Sequence, residues 1–230
     1  MSLALVTGAS AGIGREFSKQ LAARNITPVL VSRTREKLER LKAEIESEHG
    51  VSPVVVPMDL SVPGSAEALY EECERLGLEI DILINNAGVG MFGQSAKQQS
   101  VKIEPMLILN IASLTTLSAR FAAKMIEKGG GRILNVGSFA GNQPTPYFAS
   151  YAASKRYVHD FSLALRRELK KTGVWVTCLV PGFVNTGFDD RAGIENRRYR
   201  SLSRRGSLPA SRVAEVGLRA MFRRKARVTA

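Results

Sequence analysis

The sequence predicts a doubly wound α/β fold, a parallel sheet of six to seven strands with helices on both faces. Two observations carry this. Short apolar runs alternate with longer amphipathic stretches along most of the chain, which is the rhythm of repeated βαβ units. The apolar runs are nearly uninterrupted, as expected for strands buried on both faces rather than half-exposed ones. No linker, repeat or low-complexity segment divides the 230 residues, so the whole chain, 1–230, reads as one domain.

The strands are assigned in order. L-A-L-V-T (3–7) is the first, and it leads into a helix over 12–24. P-V-L-V-S (28–32) is the second; Leu38, Leu41 and Ile45 then recur at helical spacing. V-V-V (54–56) is followed by a helix near 64–76, and D-I-L-I-N (81–85) by a long helix over 105–128 that stops at three glycines. R-I-L-N-V (132–136), a helix over 151–171 and W-V-T-C-L-V (175–180) complete the series. Residues 183–209, rich in Arg, Ser and Gly, break the rhythm and read as a variable substrate loop after the sixth strand.

Composition narrows the function classes. Hydrophobic residues make up 44% of the chain, which excludes a disordered or fibrous protein. No uninterrupted apolar run approaches the roughly 20 residues of a membrane span, so no transmembrane segment is expected. Only Met1 and Ser2 precede the first strand, and no secretory signal is expected. Cys73 and Cys178 read as buried thiols rather than a disulfide, which points to a reducing, cytoplasmic location. His49 and His159 are too few and too scattered for a zinc site, and no metal is expected. The net charge of +12 is concentrated in residues 191–230, where twelve Lys/Arg face Glu195 and Glu215. No aromatic platform or recognised motif accompanies that charge, so it reads as a solvated face, with no nucleic acid partner expected. A cluster including Arg197, Arg198 and Arg200 beside the substrate loop is also placed to attract anionic carriers.

Three motifs carry chemistry. Gly8, Ser10, Gly12, Ile13 and Gly14 form a turn between the first strand and first helix. Glycines let a pyrophosphate approach the backbone there, and the helix N-terminus supplies N–H donors, so the turn predicts dinucleotide binding. At the end of the second strand, where an acid would hold the ribose hydroxyls of NAD, the chain has Ser32 and then Arg33. A guanidinium there suits a 2′-phosphate, so NADP(H) is favoured. Arg35 and Lys37 read as the charged face of the next helix. Asp59 and Leu60 follow the third strand, where an adenine can rest, and Asn86, Ala87 and Gly88 follow the fourth; Asn86 is equally well explained as a turn residue. Finally, Tyr151 and Lys155 lie one helical turn apart in Y-A-A-S-K. They read as a proton donor and an ammonium that lowers its pKa. Tyr147 and Tyr157 have no lysine four residues on and read as packing or pocket wall. Phe148, Phe183, Phe188, Met91 and Phe92 suggest an apolar pocket mouth, or simple core packing.

Together, T-G-A-S-A-G-I-G, N-N-A-G and Y-A-A-S-K resemble the classical short-chain dehydrogenase/reductase family, over residues 3 to about 188. The resemblance implies a Rossmann fold and a catalytic set of Asn110, Ser138, Tyr151 and Lys155. Ser138 would hold the substrate oxygen, Lys155 would also bond the nicotinamide ribose, and Asn110 would position a water linking Lys155 to solvent. Pro181, Gly182, Val184 and Thr186 match the nicotinamide-side loop. The S-R-T-R-E-K-L and S-F-A-G-N-Q-P-T-P segments resemble the ketoacyl reductase and hydroxysteroid dehydrogenase branch. That branch implies an NADPH-dependent oxidoreductase of an apolar ketone or 3-oxoacyl thioester, carried as acyl-CoA or on an acyl carrier. The family also implies a homodimer or homotetramer. A different class of reading is a non-catalytic NADPH-binding sensor or scaffold, which the intact tetrad argues against. One departure is the end of the chain, A-R-V-T-A, which supplies at most a stub of the family's seventh strand.

Overall fold

A computed structural model describes residues 2–195 and 197–230; side chains are not described for Arg191, Arg197, Arg198, Leu202 and Arg204. A seven-stranded sheet runs in the order β3-β2-β1-β4-β5-β6-β9, with every pairing parallel. Its strands are β1 (Leu3–Thr7), β2 (Thr27–Ser32), β3 (Val54–Pro57), β4 (Ile80–Asn85), β5 (Gly131–Val136), β6 (Val174–Val180) and β9 (Arg227–Thr229). The last is the stub, which pairs in register with Cys178–Val180 as the seventh strand. The strand order reverses between β1 and β4, and a crevice opens there at the carboxyl ends of the strands.

Side-chain alternation within each strand builds two cores. Ala4, Val6, Leu30, Ile82, Ile84 and Leu134 face one side, against Phe17 and Leu21 of α1 (Gly12–Ala22), Leu38, Leu41 and Ile45 of α2 (Arg35–His49), and Leu218 of α9 (Ala210–Phe222). Leu5, Val29, Val31, Leu83 and Ile133 face the other, against Leu69 and Cys73 of α3 (Ser65–Arg75), Leu117, Phe121 and Met125 of α5 (Leu114–Glu127), and Leu165 of α6 (Ala149–Glu168). Burial on both faces is why the strands lack hydrophobic alternation in the sequence. Both cysteines are free and buried, and burial pushes the Cys73 thiol up to about 12.

Two sequence expectations are corrected. The long helix begins at Ser100, not residue 105. It runs through α4 (Ser100–Leu107), a wider π turn (Ile108–Ser113) and α5, with Pro105 inside it. Its 28 residues are long and apolar enough for a membrane span by length and composition, contrary to the expectation from uninterrupted runs. Leu117, Phe121 and Met125 nevertheless seat it on the sheet as a core helix. The second correction is segment 183–209. It folds into β7 (Val184–Asn185), α7 (Phe188–Arg191), α8 (Arg197–Gly206) and β8 (Leu208–Pro209), with β7 and β8 paired as a separate ladder. Its Arg- and Ser-rich composition hides the helices, because they have few apolar positions to show a period.

Candidate active site

At the carboxyl end of β1, the Thr7 hydroxyl accepts the backbone N–H groups of Asn86 (3.0 Å) and Ala87 (2.9 Å) just beyond β4. The Asn86 amide returns two bonds, to the Thr7 carbonyl (2.9 Å) and the Gly8 carbonyl (3.3 Å). This clasp fixes the glycine turn on the crevice floor. Gly8 and Gly12 have φ of +67° and +54°, a region that favours glycine. Gly14 has another function. A Cβ there would lie 2.3 Å from the Gly8 carbonyl oxygen and 2.5 Å from the Asn86 amide nitrogen. Gly14, expected among the cofactor contacts, does not line the crevice; it lets the first helix pack against the clasp.

The crevice is a cavity of about 1020 Å³. It is lined by Gly8, Ser10, Gly12, Ile13, Arg33, Asp59, Leu60, Asn86, Ala87 and Gly88 at one end, and by Ser138, Tyr151, Lys155, Pro181, Gly182, Val184 and Thr186 at the other. Of the predicted contacts, then, Gly14 and Asn110 alone lie off the wall. Lys37, read from sequence as part of a solvated face, also lines it, from the first turn of α2. Asp59 lies 3.9 Å from Arg33 and accepts both the backbone N–H and the hydroxyl of Ser61. Despite the opposing effect of burial, those bonds and the Arg33 charge hold its carboxyl below its usual range. The Ser32 hydroxyl is buried and has no hydrogen-bond partner within the chain. An orphan hydroxyl beside two cations, at the far end of a glycine cradle with no room for Cβ atoms, fits a phosphorylated dinucleotide.

Tyr151 and Lys155 share one face of α6, as their spacing predicts. Tyr151 is 8% exposed and Lys155 4%. Burial pushes the Tyr151 hydroxyl up to about 12, partly opposed by a hydrogen bond with the Ser138 side chain. The sign is opposite to the sequence expectation, because desolvation outweighs any pull from the ammonium, which lies 6.0 Å from the ring centre. Burial also pushes Lys155 down to about 8, while its Nζ donates to the Val136 carbonyl at 2.9 Å. Asn110 is fully buried in the π turn, where the widened backbone aims its side chain at the strand edge. Its Oδ1 accepts from the Val89 N–H (3.0 Å), and its Nδ2 donates to the Val89 carbonyl (2.9 Å) and the Ser154 hydroxyl (3.1 Å). It makes no direct bond to Lys155. Both groups flank Gly88, where a Cβ would lie 3.1 Å from Lys155 Nζ and 3.2 Å from Asn110 Oδ1.

Above this edge lies a third, smaller core of Met106, Phe148, Tyr151, Ala192 and Ile194, flanked by Met91, Phe92, Phe188 and Tyr199. Phe188 lies 5.4 Å from the Tyr151 ring, and Phe148 lies 5.6 Å from it. Phe148, Phe183 and Phe188 line the cavity; Phe92 packs behind it, stacked on Tyr147 at 5.6 Å. Tyr157 is elsewhere, stacked on Phe161 and bonded to Thr115. Tyr199 also lines the cavity; sequence reasoning missed it because it lies in the segment read as a loop. Among the described residues, four of the twelve cations of the basic tail have hydrogen-bond partners within the chain. Arg200 bonds Asp190 and the Ile194 carbonyl, Arg212 and Arg219 hold Glu215, and Arg227 reaches Asn142. Of the three arginines expected to attract a carrier, Arg200 is thus committed to the fold over the pocket. The side chains of Arg197 and Arg198 lie outside those described.

Comparison with known proteins agrees with this geometry. The short chain dehydrogenase family profile matches residues 2–196. A very-long-chain 3-oxoacyl-CoA reductase of Anas platyrhynchos is 35% identical over 189 residues, covering 80% of this chain and 60% of that protein. The chain thus spans about three fifths of that relative's length. A short-chain dehydrogenase from Sphingobium yanoikuyae, solved in complex with NADPH, superposes with a TM-score of 0.92 at 31% identity, covering 100% of this chain and 87% of that one. A bulky-bulky ketone specific alcohol dehydrogenase from Comamonas testosteroni gives 0.85 at 28% identity, with 100% and 86% covered. The chain belongs to the short chain dehydrogenase family.

Gly14→Ala is expected to weaken dinucleotide binding at least tenfold while the far-ultraviolet circular dichroism stays unchanged, because the added methyl pushes the helix off the Gly8–Asn86 clasp. Unchanged affinity in a fluorescence titration would show that the clasp does not set the crevice.

Proposed function

We propose that this chain is an NADPH-dependent carbonyl reductase, acting on an apolar ketone or 3-oxoacyl thioester. One observation carries the reading: the Tyr151 hydroxyl, hydrogen-bonded to Ser138 and buried with Lys155, lines the same cavity as the glycine cradle. The ketone-reducing activities named for the Anas platyrhynchos and Comamonas testosteroni proteins support a ketone, and Phe148, Phe183, Phe188 and Tyr199 give this cavity an aromatic wall. The NADPH bound in the Sphingobium yanoikuyae structure supports NADPH here, as do Arg33, Lys37 and the orphan Ser32 hydroxyl. The free, buried thiols fit a reducing, cytoplasmic location. The exposed Tyr157 on α6 fits association into a homodimer or homotetramer.

The glycine cradle, Arg33 and Lys155 would hold NADPH, which would supply a hydride for the carbonyl carbon. The chain's own groups do the rest. Ser138 and Tyr151 hold the carbonyl oxygen, and the Tyr151 Oη gives it a proton as negative charge develops there. A phenol near 12 is fully protonated at neutral pH and still a far stronger acid than the alcohol being formed, so transfer is downhill. The reverse reaction needs the phenolate, which burial opposes. Lys155, an ammonium over most of that range, stabilises the phenolate left behind and holds the ribose. Asn110 and Lys155 converge on Gly88, where a water would return the proton to Tyr151.

Tyr151→Phe should lower kcat at least a hundredfold, within the range of about 10²–10⁴ for general acids, with the Kd for NADPH within about threefold of wild type. Retention of more than a tenth of kcat would remove Tyr151 from this role. Arg33→Ala should reduce the NADPH-over-NADH preference about ten- to a hundredfold, since a hydrogen bond to a charged group contributes roughly 1.5–3 kcal/mol. Lys37→Ala should act in the same direction with a smaller effect. Equal losses for both cofactors would show that these cations support the fold and do not read the phosphate.

A further inference from the structure

Ser138 caps a short 3₁₀ turn, Phe139–Asn142, and its hydroxyl accepts the Ala140 N–H at 3.2 Å. That hydroxyl is useful only if the backbone beneath it is held. Its neighbours are tied to the sheet edge: Gly137 N–H bonds the Leu179 carbonyl (2.7 Å) and Phe139 N–H the Pro181 carbonyl (2.8 Å). The Ser138 N–H points the other way, into α6, where it donates to Nε2 of His159 at 3.4 Å. His159 lies one turn beyond Lys155 and two beyond Tyr151, and is 3% exposed. Its ring is wedged between the two glycines of the turn. A Cβ on Gly137 would lie 2.5 Å from Nε2, and one on Gly141 would lie 3.0 Å from Cε1.

We propose that His159 is a positioning residue: its neutral imidazole, accepting through Nε2, fixes the Ser138 peptide and thereby aims the Ser138 hydroxyl at Tyr151 and the substrate oxygen. The inference rests on the reading of Ser138 as catalytic. The surroundings suit a neutral ring. Arg227 on β9 and Lys155 and Arg156 on α6 oppose a positive charge, and only Asp160 favours one; Cys178 on β6, near Gly137, is an uncharged thiol. Burial above all, then these cations, push His159 down to about 4. Accepting at Nε2 requires the proton on Nδ1. Protonation would put a second donor against the Ser138 N–H and break the hold. The sign follows. The folded value lies below the ordinary 6.5, so between about 4 and 6.5 the unfolded chain binds more protons. The stability linked to His159 is therefore complete above about 6.5 and is lost as pH falls through about 4.

The test compares His159→Leu, which removes the acceptor, with His159→Gln, whose Oε1 takes the place of Nε2 and does not titrate. Kinetics of ketone reduction from pH 5 to 8 are read together with NADPH binding and ¹⁵N-histidine NMR of the wild type. His159→Leu should lower kcat about five- to tenfold, as expected for one hydrogen bond of roughly 1 kcal/mol, with the NADPH Kd within twofold. His159→Gln should restore at least half of kcat and leave the shape of the pH profile between 5 and 8 unchanged, because His159 does not titrate in that range. The NMR should show an unprotonated Nε2 and no titration above pH 5. Wild-type kcat in His159→Leu, equal losses in both variants, or a protonated Nε2 at pH 7 would each overturn the proposal. If His159→Leu does not fold, the Gln variant and the NMR still decide it. Ser138→Ala separates the two readings: if it keeps full activity, the catalytic role of Ser138 fails first, whereas if it is inactive and His159→Leu is not, only the positioning role fails.

Discussion

Thr7 and Asn86 lock β1 to the end of β4, and the site depends on that lock. These are the strands between which the sheet order reverses, so the crevice exists only because their connections leave in opposite directions. A crevice with unsecured loops would not hold a ligand in one pose. Here one hydroxyl takes two backbone N–H groups, and one amide bonds two carbonyls across the gap. Gly14 is fixed by the same arrangement, since a methyl there collides with both partners. The dinucleotide cradle is thus a property of packing between two strand ends as much as of the glycine turn.

Burial sets the chemistry at the other end. It raises the Tyr151 phenol and lowers the Lys155 ammonium, moving the two values to about 12 and about 8. A spacing argument sees only that the two groups are close, and predicts that the cation draws the phenol down. The structure shows that desolvation is the larger effect at this depth. That reverses the sign of the shift that the spacing predicts. It also makes the polar contacts of Ser138, Asn110 and His159 consequential, because each buried group needs a partner.

Much of this was legible in the sequence. The apolar strands gave the parallel sheet because burial on both faces leaves no alternation to disguise them, and A-R-V-T-A proved sufficient for the seventh strand. Gly8, Gly12, Arg33, Ser138, Tyr151 and Lys155 all reach one cavity because each follows a strand or opens a helix at the same sheet edge. What stayed hidden depended on tertiary contacts. Lys37 looked like any charged helix residue, since nothing local shows that the first turn of α2 opens onto the crevice. Tyr199 lay in a segment with too few apolar residues to show a period. His159 looked like a lone histidine, since nothing local reveals that Gly137 and Gly141 close around its ring. The long helix starts at Ser100, before the residue 105 read from sequence, and carries Pro105 in its interior.

The most direct measurement is a single turnover with NADPH deuterated at the transferable C4 position and a bulky ketone or 3-oxoacyl-CoA, analysed by NMR. The account predicts deuterium on the carbinol carbon in one configuration, with the hydroxyl proton drawn from exchangeable hydrogen, and a much slower reaction with the corresponding NADH. Tight NADPH binding with no deuterium delivered to any carbonyl would contradict it and leave a cofactor-binding protein without turnover.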